Sequence, residues 1–307
     1  MAIQFKTTII GVVGQAAGNA AAGSKSSEWS APVNLGAVVN SSFNDFAPAV
    51  SKNGLSLYFS SDRPGSLGPS DIWVSQRNSR DDPWGVPVNL GPPVNTSVGE
   101  RAPCFSRDGH WMFFVSDRPG GFGGDDLWAS WRTNVHDDFA WQPPINLGAG
   151  VNTETFDAGA TFFENDEAGT PLLLFSSTRP GGPGGEDIYV SAQTADGSFG
   201  PATLVPELNS PQADRRPTIR FDGLEIIFFS NRPGTLGGAD LWTSGRPTVF
   251  DSWSVPVNLG PVVNSSSNEA PSCLSSDGRS LFMTSDRPGG FGAGDLYVTT
   301  RERIGRH

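Results

Sequence analysis

Ser116-Asp-Arg-Pro-Gly-Gly-Phe-Gly-Gly-Asp-Asp-Leu-Trp128 is one of five variants of a single stretch, the others beginning at Ser61, Ser177, Ser230 and Ser285. Each passes through Arg-Pro-Gly and a glycine-containing loop into Asp-[Ile/Leu]-[Trp/Tyr]. Successive copies start 53 to 61 residues apart, a spacing that marks a modular repeat architecture. Upstream of each copy lies Trp-x-x-Pro-[Val/Ile]-Asn-Leu-Gly, at Trp29, Trp84, Trp141 and Trp253, and in degraded form over 199–204. A Val-Asn-[Ser/Thr] loop follows, then a short strand closed by Asp108-Gly109, Asp222-Gly223, Asp277-Gly278 or Asn53-Gly54, which are hairpin turns. The third strand of each unit is richly apolar, as in 55–59 and 224–229, which suits a strand covered on both faces.

Four short strands per unit, five units and no helical periodicity predict an all-β, five-bladed β-propeller with four-stranded antiparallel blades. The chain enters on the Trp-type strand and ends on the Asp-Leu-Tyr strand, so the N-terminal strand is expected to complete the last blade and close the ring. Closure removes the open edges. The expected division is an N-terminal extension over 1–27, a single propeller over 28–302 and a tail over 303–307. The extension, with Lys6 and the short apolar run 8–13, reads as a weak signal peptide and points to a periplasmic or secreted protein. No stretch is long and apolar enough to span a bilayer as a helix.

The pattern acid-x-x-Pro, Ser-x-Asp-Gly, Phe-x-Ser-Asp-Arg-Pro-Gly-Gly-x-Gly-x-x-Asp-[Ile/Leu]-Tyr resembles the WD40-like repeat of TolB-type propellers over about residues 29–301. The resemblance implies a bacterial, often extracytoplasmic propeller that binds partners or ligands, and some enzymes are built on similar blades. The sequence departs from TolB itself in having five units, with no separate α/β domain ahead of them in these 307 residues.

The chain carries 21 Lys and Arg and a formal charge of −11, which argues against nucleic acid and anionic membranes and for cations, sugars or neutral ligands. Its two cysteines, Cys104 and Cys273, fall in corresponding strands of non-adjacent repeats and are expected as free buried thiols.

Counting five residues on from the Asn of each Val-Asn-[Ser/Thr] turn gives Asp45, Glu100, Asp157, Asp214 and Glu269. These acids are expected on one face, around the channel, together with the glycine loops. Converging carboxylates need compensation. They hold a divalent cation, Ca²⁺ first by their all-oxygen chemistry with Mg²⁺ or Mn²⁺ as alternatives, or each pairs with its own repeat's Arg63, Arg118, Arg179, Arg232 or Arg287, and the two are compatible, with arginine on one oxygen and the other facing the channel.

Residues that break the five-fold pattern are candidates for ligand contact: Arg101, Arg215 and Arg216 beside the acids, and Thr178 and Asn231 where three repeats have Asp. Phe122 and Phe291 at glycine-loop tips are candidates for an apolar rim. The tryptophans recur at strand positions and read as core. His110 and His136 fall on the opposite face, which leaves no Ser-His-Asp triad.

Two functions remain open at this point. One is a scaffold with a cation in its acidic mouth, binding a small molecule, glycan or protein. The other is a metal-dependent hydrolase or lyase for an ester, lactone or phosphoester at the same place, with a metal-free glycosidase using two of the acids as a third. The repeats carry no signal of oligomeric state.

Overall fold

The computed structural model describes residues 28–302 except 165 and 168. The extension over 1–27 and the tail over 303–307, with the export expectation that rests on the former, lie outside the described residues.

Twenty strands form five four-stranded antiparallel sheets. β1 (Val33–Asn34) belongs to the last of them. Blade one is β2 (Asp45–Val50), β3 (Ser56–Ser61), β4 (Asp71–Gln76) and β5 (Val88–Asn89). Blade two is β6 (Glu100–Phe105), β7 (Trp111–Ser116), β8 (Asp126–Trp131) and β9 (Ile145–Asn146). Blade three is β10 (Asp157–Phe163), β11 (Leu172–Ser177), β12 (Asp187–Ala192) and β13 (Thr203–Leu204). Blade four is β14 (Asp214–Ile219), β15 (Glu225–Ser230), β16 (Asp240–Gly245) and β17 (Val257–Asn258). Blade five is β18 (Glu269–Leu274), β19 (Ser280–Ser285) and β20 (Asp295–Thr300), with β1 as its outer strand.

This is the five-bladed propeller read from the repeats, closed as expected. Val33 pairs with Val298 and Asn34 with Tyr297. Ser30 N–H donates to Thr300 O at 2.8 Å and Leu35 N–H to Leu296 O at 3.0 Å. Asn40, fully inside, adds a second fastening: its side chain accepts from Leu296 N–H at 2.8 Å and donates to Leu296 O at 3.0 Å. Asn95, Asn152, Asn209 and Asn264 do the same for the blades that precede them. The repeated Val-Asn-[Ser/Thr] therefore joins neighbouring strands by replacing a ladder bond with a side chain.

The innermost strands β2, β6, β10, β14 and β18 contact one another in a ring around the axis. The next strand out is sealed on both faces; all six residues of β3 are buried, which explains its unbroken apolar run. Between blades the tryptophans are packing elements. Trp29, Trp84, Trp141 and Trp253 each lie under an arginine that directly follows the last long strand of a blade, with Arg301, Arg77, Arg132 and Arg246 at 4.1 to 4.3 Å from the ring centres. The glycine loops pack against the next blade's backbone. At Gly292 a Cβ would meet the Phe43 carbonyl oxygen at 1.7 Å, so only glycine lets blade five seat against blade one.

Among the described residues no helix is long and apolar enough to cross a membrane.

Candidate functional site at the channel mouth

In each blade the repeat acid, the serine of Ser-x-Arg-Pro and the aspartate of the last long strand pair in register, as in Asp45, Ser61 and Asp71. All five acids thus stand at one end of the channel, and all are fully buried. Each is held by its own arginine: Arg63 to Asp45 at 2.5 Å, Arg118 to Glu100 at 3.0 Å, Arg179 to Asp157 at 2.7 Å, Arg287 to Glu269 at 3.0 Å, and Arg232 to Asp214. The second carboxylate oxygen is used as well. Asp45 accepts from Ser41 N–H at 2.6 Å and Ser41 Oγ at 2.8 Å, and the other blades repeat this from Thr96, Thr153, Ser210 and Ser265.

The arginines are fixed in turn. Arg63 donates to Val39 O at 2.6 Å and lies over the rings of Phe59 and Trp73. Burial pushes the Glu100 carboxyl above its usual range, opposed by its Thr96 hydrogen bonds and by Arg118. Among the described residues no group of three or more His, Cys, Asp or Glu converges to hold a metal ion. Of the two arrangements open in the sequence, the geometry has the acid–arginine pairing. Asp45, Glu100, Asp157, Asp214 and Glu269 are divided among five separate pairs.

Thr178 and Asn231 also turn out to keep the symmetry. Thr178 Oγ1 accepts from Phe156 N–H and Asn231 Oδ1 from Ala213 N–H, the job done by Asp62 and Asp117 for Asn44 and Gly99. The last-strand aspartates cap their glycine loops, as Asp71 does for Leu67 and Gly68 N–H. Phe122 and Phe291 are half-exposed on their loop tips, each anchored through its N–H to Asp126 or Asp295. Neither makes a ring contact with Arg101, Arg215 or Arg216 among the described residues.

The three arginines do come together. Arg101 pairs with Asp125, Arg215 pairs with Glu186, and both pairs lie close enough to act electrostatically on Arg216. Asp125 and Glu186 are the residues just before the last-strand aspartates of blades two and three, where the other blades have Ser70, Ala239 and Gly294. That comparison between repeats would have found them. Attention to positions that recur passed them over.

Arg216 sits where the innermost strand bulges. The register shifts between Arg215 and Thr218 as it does in the other blades, and the equivalent residues Ala47, Ala102 and Gly159 share its positive φ. A narrow cavity of about 20 Å³ lined by Ala47, Ala102, Gly159, Ala160 and Arg216 forms the waist of the channel, about the room of one water probe. Burial pushes the Arg216 guanidinium down to about 10, with Arg101 adding to the fall and Glu186 opposing it. Glu186 is moved the other way: burial raises its carboxyl, while Arg215 and Arg216 pull it back.

Beyond the waist, at the hairpin end, lies a mixed cavity of about 130 Å³ whose lining includes Cys104, Phe162, Phe221 and Cys273 together with Lys52, Arg107 and Glu164. Both thiols are free. Their blades are not adjacent, as the repeat order implied, yet both cysteines line this cavity because every innermost strand reaches the axis. Burial pushes Cys104 up to about 12 and Cys273 to about 11. His110 is on this side too, its Nδ1 2.8 Å from Arg132 O and its ring stacked on Trp131.

No protein-family model and no curated protein matches the chain. Solved structures do. An α-L-arabinofuranosidase from Lactobacillus brevis is similar at TM-score 0.59 and 14% identity, over 86% of this chain and 95% of that one. The GH43_1 enzyme from Xanthomonas citri complexed with xylotriose is similar at 0.56 and 13%, over 88% and 89%. TolB from Acinetobacter baumannii follows at 0.49 and 14%, over 86% and 56%. The likeness is one of fold. At such identities it establishes the five-bladed ring and leaves the chemistry to this chain's own residues.

Proposed function

We propose that the protein is a glycoside hydrolase-like propeller that binds oligosaccharide at the mouth formed by Arg101, Asp125, Glu186, Arg215 and Arg216. In this reading Glu186 is the general acid, protonating the glycosidic oxygen as the bond breaks, and Asp125 is the partner carboxylate that activates water or attacks the sugar. The single observation behind it is the Asp125 and Glu186 pair: two carboxylates outside the five structural pairs, brought to one mouth by adjacent blades, one of them raised by burial. A raised carboxyl is what a general acid needs near neutral pH. Similar propellers include an α-L-arabinofuranosidase and an enzyme complexed with xylotriose, which directs the choice toward sugars. The reading uses no divalent cation.

One observation favours a second reading. Both carboxylates are already engaged by arginine, which suits a glycan-binding scaffold that does not turn over. Incubation with xylo-, arabino- and cello-oligosaccharides, followed by chromatography of the products, separates the two. Glu186→Gln is expected to lower turnover at least about 100-fold while sugar still binds. Binding without any product would replace the hydrolase with the scaffold, and neither binding nor product from any sugar would end both.

A further inference from the structure

We infer that Arg216 makes this mouth selective for carbohydrates bearing a carboxylate, that is, uronic-acid units. The inference rests on the carbohydrate reading above and names the class of sugar.

Four observations carry it. First, Arg216 alone puts a long charged side chain at a bulge position that is Ala47, Ala102 or Gly159 in other blades. Second, the preceding blade makes room for it: Gly159 is flush with its side chain, and a Cβ there would stand 2.5 Å from the arginine Cγ. Third, Arg101 and Arg215 each have a carboxylate partner, whereas the Arg216 guanidinium makes no ion pair or hydrogen bond with any described residue. Fourth, within the cluster of Arg101, Arg215, Arg216, Asp125 and Glu186 three cations meet two carboxylates.

A cation sunk between blades and left without a partner is costly. One singly charged oxyanion balances both its charge and its open donors. The planar guanidinium fork matches a planar carboxylate through two parallel hydrogen bonds, and the waist below Arg216 stops the sugar from passing deeper. A sulfate ester on a sugar offers the same charge with tetrahedral oxygens, so the test includes it.

The test is calorimetric titration of the full chain at low salt with trigalacturonate, its methyl ester, a sulfated trisaccharide and xylotriose, and with acetate and sulfate as free ions. The expected result is that trigalacturonate binds at least about tenfold tighter than its methyl ester and than xylotriose. Arg216→Gln is expected to abolish the difference and Arg216→Lys to recover part of it. The methyl-ester comparison uses the unaltered protein and stands whether or not the variants fold. Equal binding of acid and ester overturns the proposal and leaves the carbohydrate reading intact. Tighter binding of the sulfated sugar overturns the carboxylate assignment. Binding of acetate or sulfate with no sugar bound overturns the proposal by removing the carbohydrate reading beneath it.

Discussion

Gly159 and Arg216 are packed without a gap: a single added carbon on the glycine would lie 2.5 Å from the arginine Cγ. The glycine is also at φ +63, and Ala47 and Ala102 hold φ +53 and +54 at the equivalent places, so the backbone strain of an alanine there is one the fold already bears twice. The clash decides. Gly159→Ala is expected to cost about 1–3 kcal/mol by overpacking, and adding Arg216→Ala is expected to return most of it. Urea denaturation of the single and double variants checks this; additive losses would mean that the two side chains do not compete.

Arg232 is nearly buried and bonds Asp214, Ser230 and the Leu208 carbonyl while stacked on Phe228 and Trp242. Arg232→Ala strands a buried carboxylate and is expected to cost about 3–5 kcal/mol. Arg232→Met with Asp214→Leu removes both charges and is expected to cost less than the single change. Denaturant midpoints of the native protein and the two variants measure the difference.

Glu186 makes stability and rate depend on pH in a definite direction. Its folded carboxyl stands above its ordinary value of 4.5 because of burial. Protonation therefore favours the folded state, and that contribution is complete below the ordinary value and lost as pH rises through the raised one. Melting temperature of the native protein relative to Glu186→Gln is expected to fall across that window. If Glu186 is the general acid, the alkaline limb of the rate profile lies in the same window. Arg216→Gln removes a cation that stabilises the carboxylate, so the limb is expected to move to higher pH.

Asn40 is the side-chain fastening of the ring. Asn40→Ala leaves the Leu296 N–H and C=O without their partner, at about 1–3 kcal/mol for each buried group. Thermal melting is expected to show a larger loss than for Asn34→Ala, whose residue is less enclosed.

In each of the five buried carboxylates arginine takes one oxygen and the turn takes the other. Melting in EDTA and after adding Ca²⁺, Mg²⁺ or Mn²⁺ is expected to give one temperature. A calcium-dependent rise would return the acid ring to cation binding.

The fold was legible because it is written five times. The Asn that bridges blades, the acid five residues later and the arginine that answers it recur, and recurrence fixes position even without knowledge of contacts. Closure by the strand at Val33 followed from where the first and last copies break. The candidate site was only half legible, for the opposite reason. Arg101, Arg215 and Arg216 stood out as exceptions, but their partners Asp125 and Glu186 sit in a loop position with no common residue. The bulge at each innermost strand also breaks the two-residue alternation, so the side facing the channel at position 216 could not be counted from the acid at 214. Phe122 and Phe291 were conspicuous for being apolar on a loop, which says they are exposed but not what they meet.

The clasp between β1 and β20 has a mechanical meaning. Ser30 and Thr300 are hydrogen-bonded neighbours at the same end of the antiparallel pair, so tension applied between residues 28 and 302 would load these bonds one after another, as a zipper, and not all together in shear. The strands beyond the clasp would feel the pull only after it parted. The ring would thus yield first at its seam, giving up the outer strand of blade five while blades one to four kept all of theirs.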